Sequence, residues 1–241
     1  MMTSVCIVLP THNEERVLEK NVRAIHAFCI AALSKYTWEI CIADNGSHDA
    51  TPIIAERLAR EFPQVQWFHA DDAGRGAALR RAWSESSADI LCYMDVDLAT
   101  DLHALPFLVG AIRDGADIAI GSRFITGASV QRSLLRECMS RTYNWMTRHL
   151  LRMRIGDAQC GFKAINKKAA KELLPLIRNT QWFFDTELLV LAERRNMTIQ
   201  EVPVQWVEAR DRKRKSTVRI FRTIVNYCRE IWRLRRSVIS H

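Results

Sequence analysis

No run of roughly 18 apolar residues occurs in this sequence, so no segment is expected to cross a bilayer as a helix. The seven cysteines include no Cys-x-x-Cys pair, which removes the common zinc and thioredoxin-like spacings, and their odd number argues against a disulfide framework. Cys6, Cys41 and Cys92 lie inside apolar runs and read as reduced core thiols. Internal repeats and low-complexity tracts are absent. The first apolar run, Val5 to Leu9, follows no basic segment. A signal peptide is therefore not expected, and the location read from the sequence is cytoplasmic, peripheral at the cytoplasmic membrane face.

A chain of 241 residues, 48% of them hydrophobic, is long enough for one sizeable core and short for two enzyme domains. The formal charge of +8 suits an anionic partner. Its distribution is more informative, because Lys and Arg crowd the region after Arg132 and above all Arg210 to Arg236. A catalytic body with a basic docking edge is expected.

Short β-branched runs alternate with helix-period stretches through the first half. The strands expected are Val5 to Leu9, Glu39 to Ala43, Val65 to His69, Ile90 to Met94 and Asp117 to Ile120. The helices between them are Glu15 to Leu33, Thr51 to Glu61, Gly76 to Ser84 and His103 to Asp114. This is an α/β pattern, a mainly parallel sheet flanked by helices, in which ligands sit at the carboxyl ends of the strands. Further on come an Arg-rich stretch (Thr126 to Glu137), a helix through Arg152, a turn at Gly156 to Gly161, a helix at Thr186 to Arg195 and a strand at Ile199 to Trp206.

The motifs converge on one rim of that sheet. Asp95-Val96-Asp97 ends the fourth strand, and two carboxylates there suit a hard divalent cation that shares its coordination with substrate phosphates. A solvated acidic turn is the bland alternative. Asp44-Asn45-Gly46-Ser47 follows the second strand. It fits both a strand-to-helix turn with Ser47 or Asp49 as cap and a carboxylate facing a ribose or base. Pro10 to Glu14 ends the first strand, with Asn13 a candidate cap. Gly74-Arg75-Gly76 opens a helix whose N-terminus attracts phosphate, with Arg75 as a charge partner. It is not the dinucleotide fingerprint, since the third glycine is missing and the motif follows the third strand. Trp145 and Trp182 read as core more readily than as an acceptor groove. His12, His48 and His69 have no metal-ligand spacing.

In their order along the chain these segments resemble the family 2 glycosyltransferases of GT-A fold, in the branch that loads hexoses onto dolichyl or polyprenyl phosphate. The matching pieces are VLPTHNE (Val8 to Glu14), IADNGSHDAT (Ile42 to Thr51), GRGAALRRA (Gly74 to Ala82), YMDVDLATDL (Tyr93 to Leu102), IGSRF (Ile120 to Phe124), DAQCGFKAI (Asp157 to Ile165), WFFDTELL (Trp182 to Leu189) and EVPVQW (Glu201 to Trp206). The resemblance implies that Pro10, Glu14 and Asp44 hold the nucleotide, with Gly74, Arg75 and Gly76 beside the diphosphate. Asp95 and Asp97 would hold Mg2+ or Mn2+ and the donor diphosphate. Arg123 and Arg136 would bind the acceptor phosphate, while Lys163, Asp185, Glu187, Arg210 and Ser216 lie toward the sugar and acceptor. Two departures stand out: Ala99 replaces a frequent Gln after the second Asp, and the loop Lys215-Ser216-Thr217 lacks its usual lysine, leaving Arg210, Lys215 or Arg219 to substitute.

The division implied is a glycosyltransferase domain over 1–215, with a nucleotide half (1–122) and an acceptor half (123–215), followed by a basic amphipathic helix over 216–241. In that helix Phe221, Ile224, Val225, Cys228 and Ile231 recur at helical spacing among arginines. They pack on the domain or meet an anionic membrane, or both. The expected reaction moves glucose or mannose from UDP-glucose or GDP-mannose to a polyprenyl phosphate with inversion, UDP-glucose being the weakly preferred donor. A phosphate acceptor, with a second pKa of about 6, is already ionised and needs no strong base. Competing readings are a hydroxyl acceptor with Asp185 as general base, a nucleotidyltransferase, and a nucleic-acid-binding protein. The last leaves Asp95 and Asp97 without a purpose, so no nucleic-acid partner is expected.

Overall fold

The computed structural model describes residues 2–71, 74–208 and 220–239, excluding the side chains of 134–136, 220–225 and 237–239. Seven strands form one sheet: β1 (Ser4–Thr11), β2 (Thr37–Asn45), β3 (Val65–Ala70), β4 (Ile90–Met94), β5 (Ile118–Ser122), β7 (Phe162–Asn166) and β8 (Ile199–Pro203). Their spatial order is β3-β2-β1-β4-β7-β5-β8. β3, β2, β1 and β4 are parallel, as are β5 and β8, whereas β7 runs antiparallel between β4 and β5. A separate short ribbon pairs β6 (Ser129–Gln131) with β9 (Gln205–Val207) in parallel.

The period of two in β1 divides the core. Val5, Ile7 and Leu9 face α1 (Leu18–Ala32), α2 (Thr51–Glu61) and α4 (Leu105–Arg113). Cys6 and Val8 face α3 (Arg75–Glu85), α6 (Lys167–Leu173) and α7 (Phe184–Arg194). All these strand side chains are 0–1% exposed, and each fully buried aliphatic contributes about 1.5–3 kcal/mol. The long helices α5 (Leu134–Leu151) and α8 (Ile220–Ile239) pack on one another. Tyr227 of α8 meets Tyr143 at 4.8 Å and Phe183 at 6.2 Å between ring centroids. Ile231 and Leu234 are buried in the second core. Ile231 is buried as the apolar stripe read from the sequence expects, whereas Cys228 is exposed and Tyr227 and Leu234 pack inward beside Ile231. Phe221, Ile224 and Val225 lie outside the described side chains.

Five strands fall where the alternation places them. β7 and α6 do not follow from it, because Phe162-Lys163-Ala164-Ile165 reads as a run broken by a charge. The strand expected over Ile199 to Trp206 splits after Pro203, which has no N–H to extend a ladder. α1 starts at Leu18 rather than Glu15, since the Glu14 carbonyl accepts turn hydrogen bonds from the Val17 and Leu18 amides. Cys6, Cys29, Cys41, Cys92 and Cys160 are buried free thiols, and Cys138 and Cys228 are exposed. Burial pushes the Cys29 thiol up to about 12.

Candidate active site

Parallel register aligns Thr11 with Asp44 and Asp44 with His69 at the carboxyl edge of the sheet. Asp44 is fully buried. The Ser47 hydroxyl donates to its Oδ1, and the His69 Nδ1–H donates to its Oδ2 at 2.6 Å. Both Asp44 oxygens are thus taken up by these two groups, and His69, which spacing alone left unassigned, is the exposed member. Asn13 is not a helix cap. Its amide donates to Ser47 Oγ at 2.8 Å and its side chain accepts from the His48 amide at 2.9 Å, binding the first rim loop to the second. The Glu14 amide likewise donates to Thr51 Oγ1 at 2.8 Å. Asn13 and Gly46 both take positive φ, 56° and 75°, which Asn tolerates and Gly adopts freely. Ser47 turns to Asp44, and Asp49 accepts from the Thr51 amide at 2.9 Å at the entry to α2.

Beyond β4 the chain turns through Asp95-Val96-Asp97. Val96 is buried, which leaves the two flanking carboxylates half-buried on the rim. The Asp95 amide donates to the Gly161 carbonyl at 3.1 Å. A Cβ on Gly161 would overlap Asp95 Oδ2 and lie 2.5 Å from its Cγ, so the glycine is the space in which the carboxylate sits. Asp97 Oδ1 accepts from the Ala99 amide at 3.1 Å. Two adjacent carboxylates, with no group of three His, Cys, Asp or Glu among the described residues, fit a Mg2+ or Mn2+ site that draws its remaining oxygens from a ligand and water.

Behind this pair lies a buried ion cluster that the sequence scatters over 110 positions. Arg75, the first residue of α3, donates to Asp185 Oδ2 at 2.7 Å and to Asp95 Oδ1 at 3.0 Å. Its guanidinium lies 4.9 Å from the centroid of Tyr93 and 5.2 Å from that of Trp182. Lys163, opposite Tyr93 in the β4–β7 register, is fully buried. Its ammonium has three partners: Cys160 carbonyl at 2.6 Å, Tyr93 hydroxyl at 3.0 Å and Asp185 Oδ1 at 3.1 Å. An ammonium has three N–H donors, so none is left over. The Tyr93 hydroxyl donates to Asp185 as well. Burial opposes ionisation of Asp185, but Lys163 and Arg75 outweigh it and hold the carboxyl below its usual value. Burial and the Asp185 charge push the Tyr93 phenol well up.

Several expectations change here. Lys163 and Asp185 are buried partners of one another. Glu187 is buried too, accepting from the Asn179 amide at 2.8 Å. Asp185, held between two cations, is unsuited to the general-base role a hydroxyl acceptor requires. Gly76 has a packing reason, since a Cβ there would come within 2.9 Å of Thr180, Gln181 and Phe184 backbone or side-chain atoms. The Ala77 amide at the same helix start donates to the Thr180 carbonyl at 3.0 Å, leaving less of the helix N-terminus for an anion. Gly74 is buried against the same segment.

On the other side of Asp95, Arg123 makes a two-pronged pair with fully buried Asp157, Nε to Oδ2 at 2.7 Å and Nη2 to Oδ1 at 2.8 Å. Burial disfavours the Arg123 charge, but Asp157 more than restores it, and Asp95 is near enough to contribute. The ribbon β6/β9 joins this region to the acidic turn. Thr100 bridges to Trp206, and the Asp101 amide donates to the Gln205 carbonyl at 2.9 Å. Three arginines approach Phe124, and two of them also approach Trp206 of β9. Arg123, Arg132 and Arg141 lie 5.9, 5.5 and 5.6 Å from the Phe124 centroid, and Arg132 lies 6.0 Å from that of Trp206. Arg132, 4% exposed, donates to Glu137 at 2.5 Å. Its Nη2 is buried without a hydrogen-bond partner among the described residues. Nothing in the sequence separates Arg132 from the other arginines of its segment. The Arg136 side chain, and Arg210, Lys215, Ser216 and Arg219 entirely, lie outside the described residues. Trp145 and Trp182 are not core, being 60% and 48% exposed.

A parallel sheet with one reversed inner strand, carrying paired aspartates beyond its fourth strand, defines a GT-A-type nucleotide-diphospho-sugar transferase fold. Residues 6–174 match glycosyl transferase family 2. The chain belongs to that family. It is 40% identical over 211 residues to glycosyltransferase AglD of Haloferax volcanii, covering 87% of this chain and 34% of that protein. It is 31% identical over 219 residues to a dolichyl-phosphate beta-glucosyltransferase of Trichomonas vaginalis, covering 86% of this chain and 65% of that one. The chain thus spans about a third and just under two thirds of these relatives. A crystal structure of glucosyl-3-phosphoglycerate synthase from Mycobacterium tuberculosis, in complex with Mn2+, uridine diphosphate and glucosyl-3-phosphoglycerate, shares the fold. It has a TM-score of 0.67 and 20% identity, over 98% of this chain and 80% of that one.

Proposed function

We propose that the protein transfers a hexose from a nucleoside diphosphate sugar to a polyprenyl phosphate with inversion. The observation that carries this reading is the placement of Asp95 and Asp97 between two unlike surfaces. One is the Asp44–Ser47–His69 edge, suited to a nucleoside. The other is the arginine-aromatic region of Arg123, Arg132, Phe124 and Trp206, suited to an anion with an apolar tail. The name of the Trichomonas relative supports a glucosyl donor and a dolichyl phosphate acceptor, and UDP-glucose is proposed ahead of GDP-mannose. Residues 1–122 would form the donor half and 123–215 the acceptor half.

On this reading Pro10, Glu14 and Asp44 frame the nucleoside, Asp44 working through His69 and Ser47. Asp95 and Asp97 would hold Mg2+ or Mn2+, which when bound supplies Lewis-acid stabilisation of the leaving diphosphate. Arg123, steadied by Asp157, and Arg132 orient the acceptor phosphate, with Arg136, Arg210 and Ser216 proposed as further contacts. An oxygen of the acceptor phosphate forms a bond to the anomeric carbon from the face opposite the diphosphate. The bond from that carbon to the diphosphate oxygen breaks with its electron pair leaving on the diphosphate. No proton need move, consistent with Asp185 being sequestered. No helix among the described residues is long and apolar enough to cross a membrane. Contact with an anionic membrane is proposed through the outer faces of α5 and α8, where Trp145 and Trp232 are exposed and Arg236 lies 3.4 Å from the Trp232 centroid.

Two experiments test this. Radiolabel supplied as UDP-glucose or GDP-mannose should appear in short-chain polyprenyl phosphate in the presence of Mg2+ or Mn2+; hydrolysis of donor without lipid product contradicts the reading. His69→Ala should raise KM for the sugar nucleotide by up to about tenfold, in line with the loss of one hydrogen bond to the nucleoside. Its kcat should change much less, which steady-state kinetics at varied donor would check.

A further inference from the structure

We propose that Arg75 keeps the cation site unreceptive to a free ion, so that the metal enters together with a nucleoside diphosphate and not before it. The inference rests on the reading of Asp95 and Asp97 as metal ligands. Arg75 is a permanent cation whose Nη2 donates to Asp95 Oδ1 at 3.0 Å, one of the two oxygens of a carboxylate that would hold the metal. It is not free to swing away. Its side chain is 8% exposed, Nη1 is anchored on Asp185 at 2.7 Å, and the guanidinium lies close to the rings of Tyr93 and Trp182. Asp185 is in turn fixed by Lys163 and Tyr93 from the sheet floor.

Asp95 has no easy retreat either. Its amide is tied to the Gly161 carbonyl and its carboxylate fills the space over the Gly161 Cα. A bare divalent ion therefore approaches a carboxylate already half neutralised, with a fixed positive charge one hydrogen bond away. Arg123 adds a second cation near enough to interact with Asp95. The diphosphate reverses this balance, because it brings several negative charges and the additional oxygen ligands that hard cations require. The Arg75 charge adds to the dependence on the diphosphate that two carboxylates already impose.

The test is Mn2+ binding to the full chain, followed by the electron paramagnetic resonance signal of the free ion, with and without UDP or GDP. For the wild type, Mn2+ alone should bind at least about tenfold more weakly than Mn2+ with a nucleoside diphosphate. Arg75→Met, which removes the charge and keeps an apolar chain between the two rings, should tighten binding of Mn2+ alone by at least about tenfold. Arg75→Lys, which keeps the charge, should leave it weak. Should Arg75→Met not fold by circular dichroism, Arg75→Gln removes the charge while keeping a hydrogen-bond donor for Asp185, and the same tightening is expected. Unchanged or weaker binding of Mn2+ alone to the folded charge-removal variant, while a nucleoside diphosphate still recruits Mn2+ to the wild type, overturns the inference. Failure of both UDP and GDP to recruit Mn2+ to the wild type overturns both the inference and the assignment of Asp95 and Asp97.

Discussion

Asp185→Ala should lower folding stability by about 3–5 kcal/mol, because it removes one partner of a buried ion pair, leaving Lys163 an uncompensated interior charge and Arg75 with Asp95 alone. Urea or guanidinium unfolding of the two proteins at neutral pH gives the difference directly, and a loss below about 1 kcal/mol would mean that water reaches the cluster. The effect has a defined pH dependence. The folded-state pKa of Asp185 lies below its ordinary value, which is about 3.9 in an unfolded chain. The ionised group thus contributes its full stabilisation above that value, and the contribution fades as the pH falls through the lower folded value. The gap between wild type and Asp185→Ala should accordingly be constant from pH 5 to 8 and close only under stronger acid.

Gly161→Ala should do the reverse, sparing stability and abolishing most transfer. The added methyl group cannot coexist with the Asp95 carboxylate where it now lies. The backbone cannot yield readily, since the Gly161 carbonyl is tied to the Asp95 amide and Phe162 continues into β7 beside Met94. Asp95 must turn off Arg75 and away from the proposed metal site. A misplacement of about 1 Å at a reacting centre costs on the order of 100-fold in rate. Transfer assays alongside thermal unfolding would separate the two effects, and near-normal activity would show that Asp95 is not held in its working position by Gly161.

Much of this molecule can be read before it is folded. The alternation of Val5, Ile7 and Leu9 with Cys6 and Val8 is the two-faced core itself. Asp95 and Asp97 stand on the rim because a strand of five buried residues ends at Met94. What the sequence hides is mostly interior charge. Lys163 breaks an apolar run and so conceals a strand, yet it is buried because Tyr93 and Asp185 meet it from other elements. Arg75 was legible as a charged residue beside a turn, but its partner Asp185 is 110 positions away. His69 carries no spacing signal, and only the parallel register of β2 and β3 brings it to Asp44. Trp145 and Trp182 were assigned inward by their apolar bulk, whereas the exposed surface of the second half is where such side chains are left without cover.

The central claim is that Asp95 and Asp97 serve hexose transfer to a polyprenyl phosphate, and label transfer tests it most directly. Wild type and Asp97→Ala would be given radiolabelled UDP-glucose or GDP-mannose, short-chain polyprenyl phosphate and Mn2+. Labelled lipid is expected from the wild type with one of the two donors, and at least about 1000-fold less from the variant. Labelled lipid made equally by Asp97→Ala, or none made by the wild type with either donor, would contradict it.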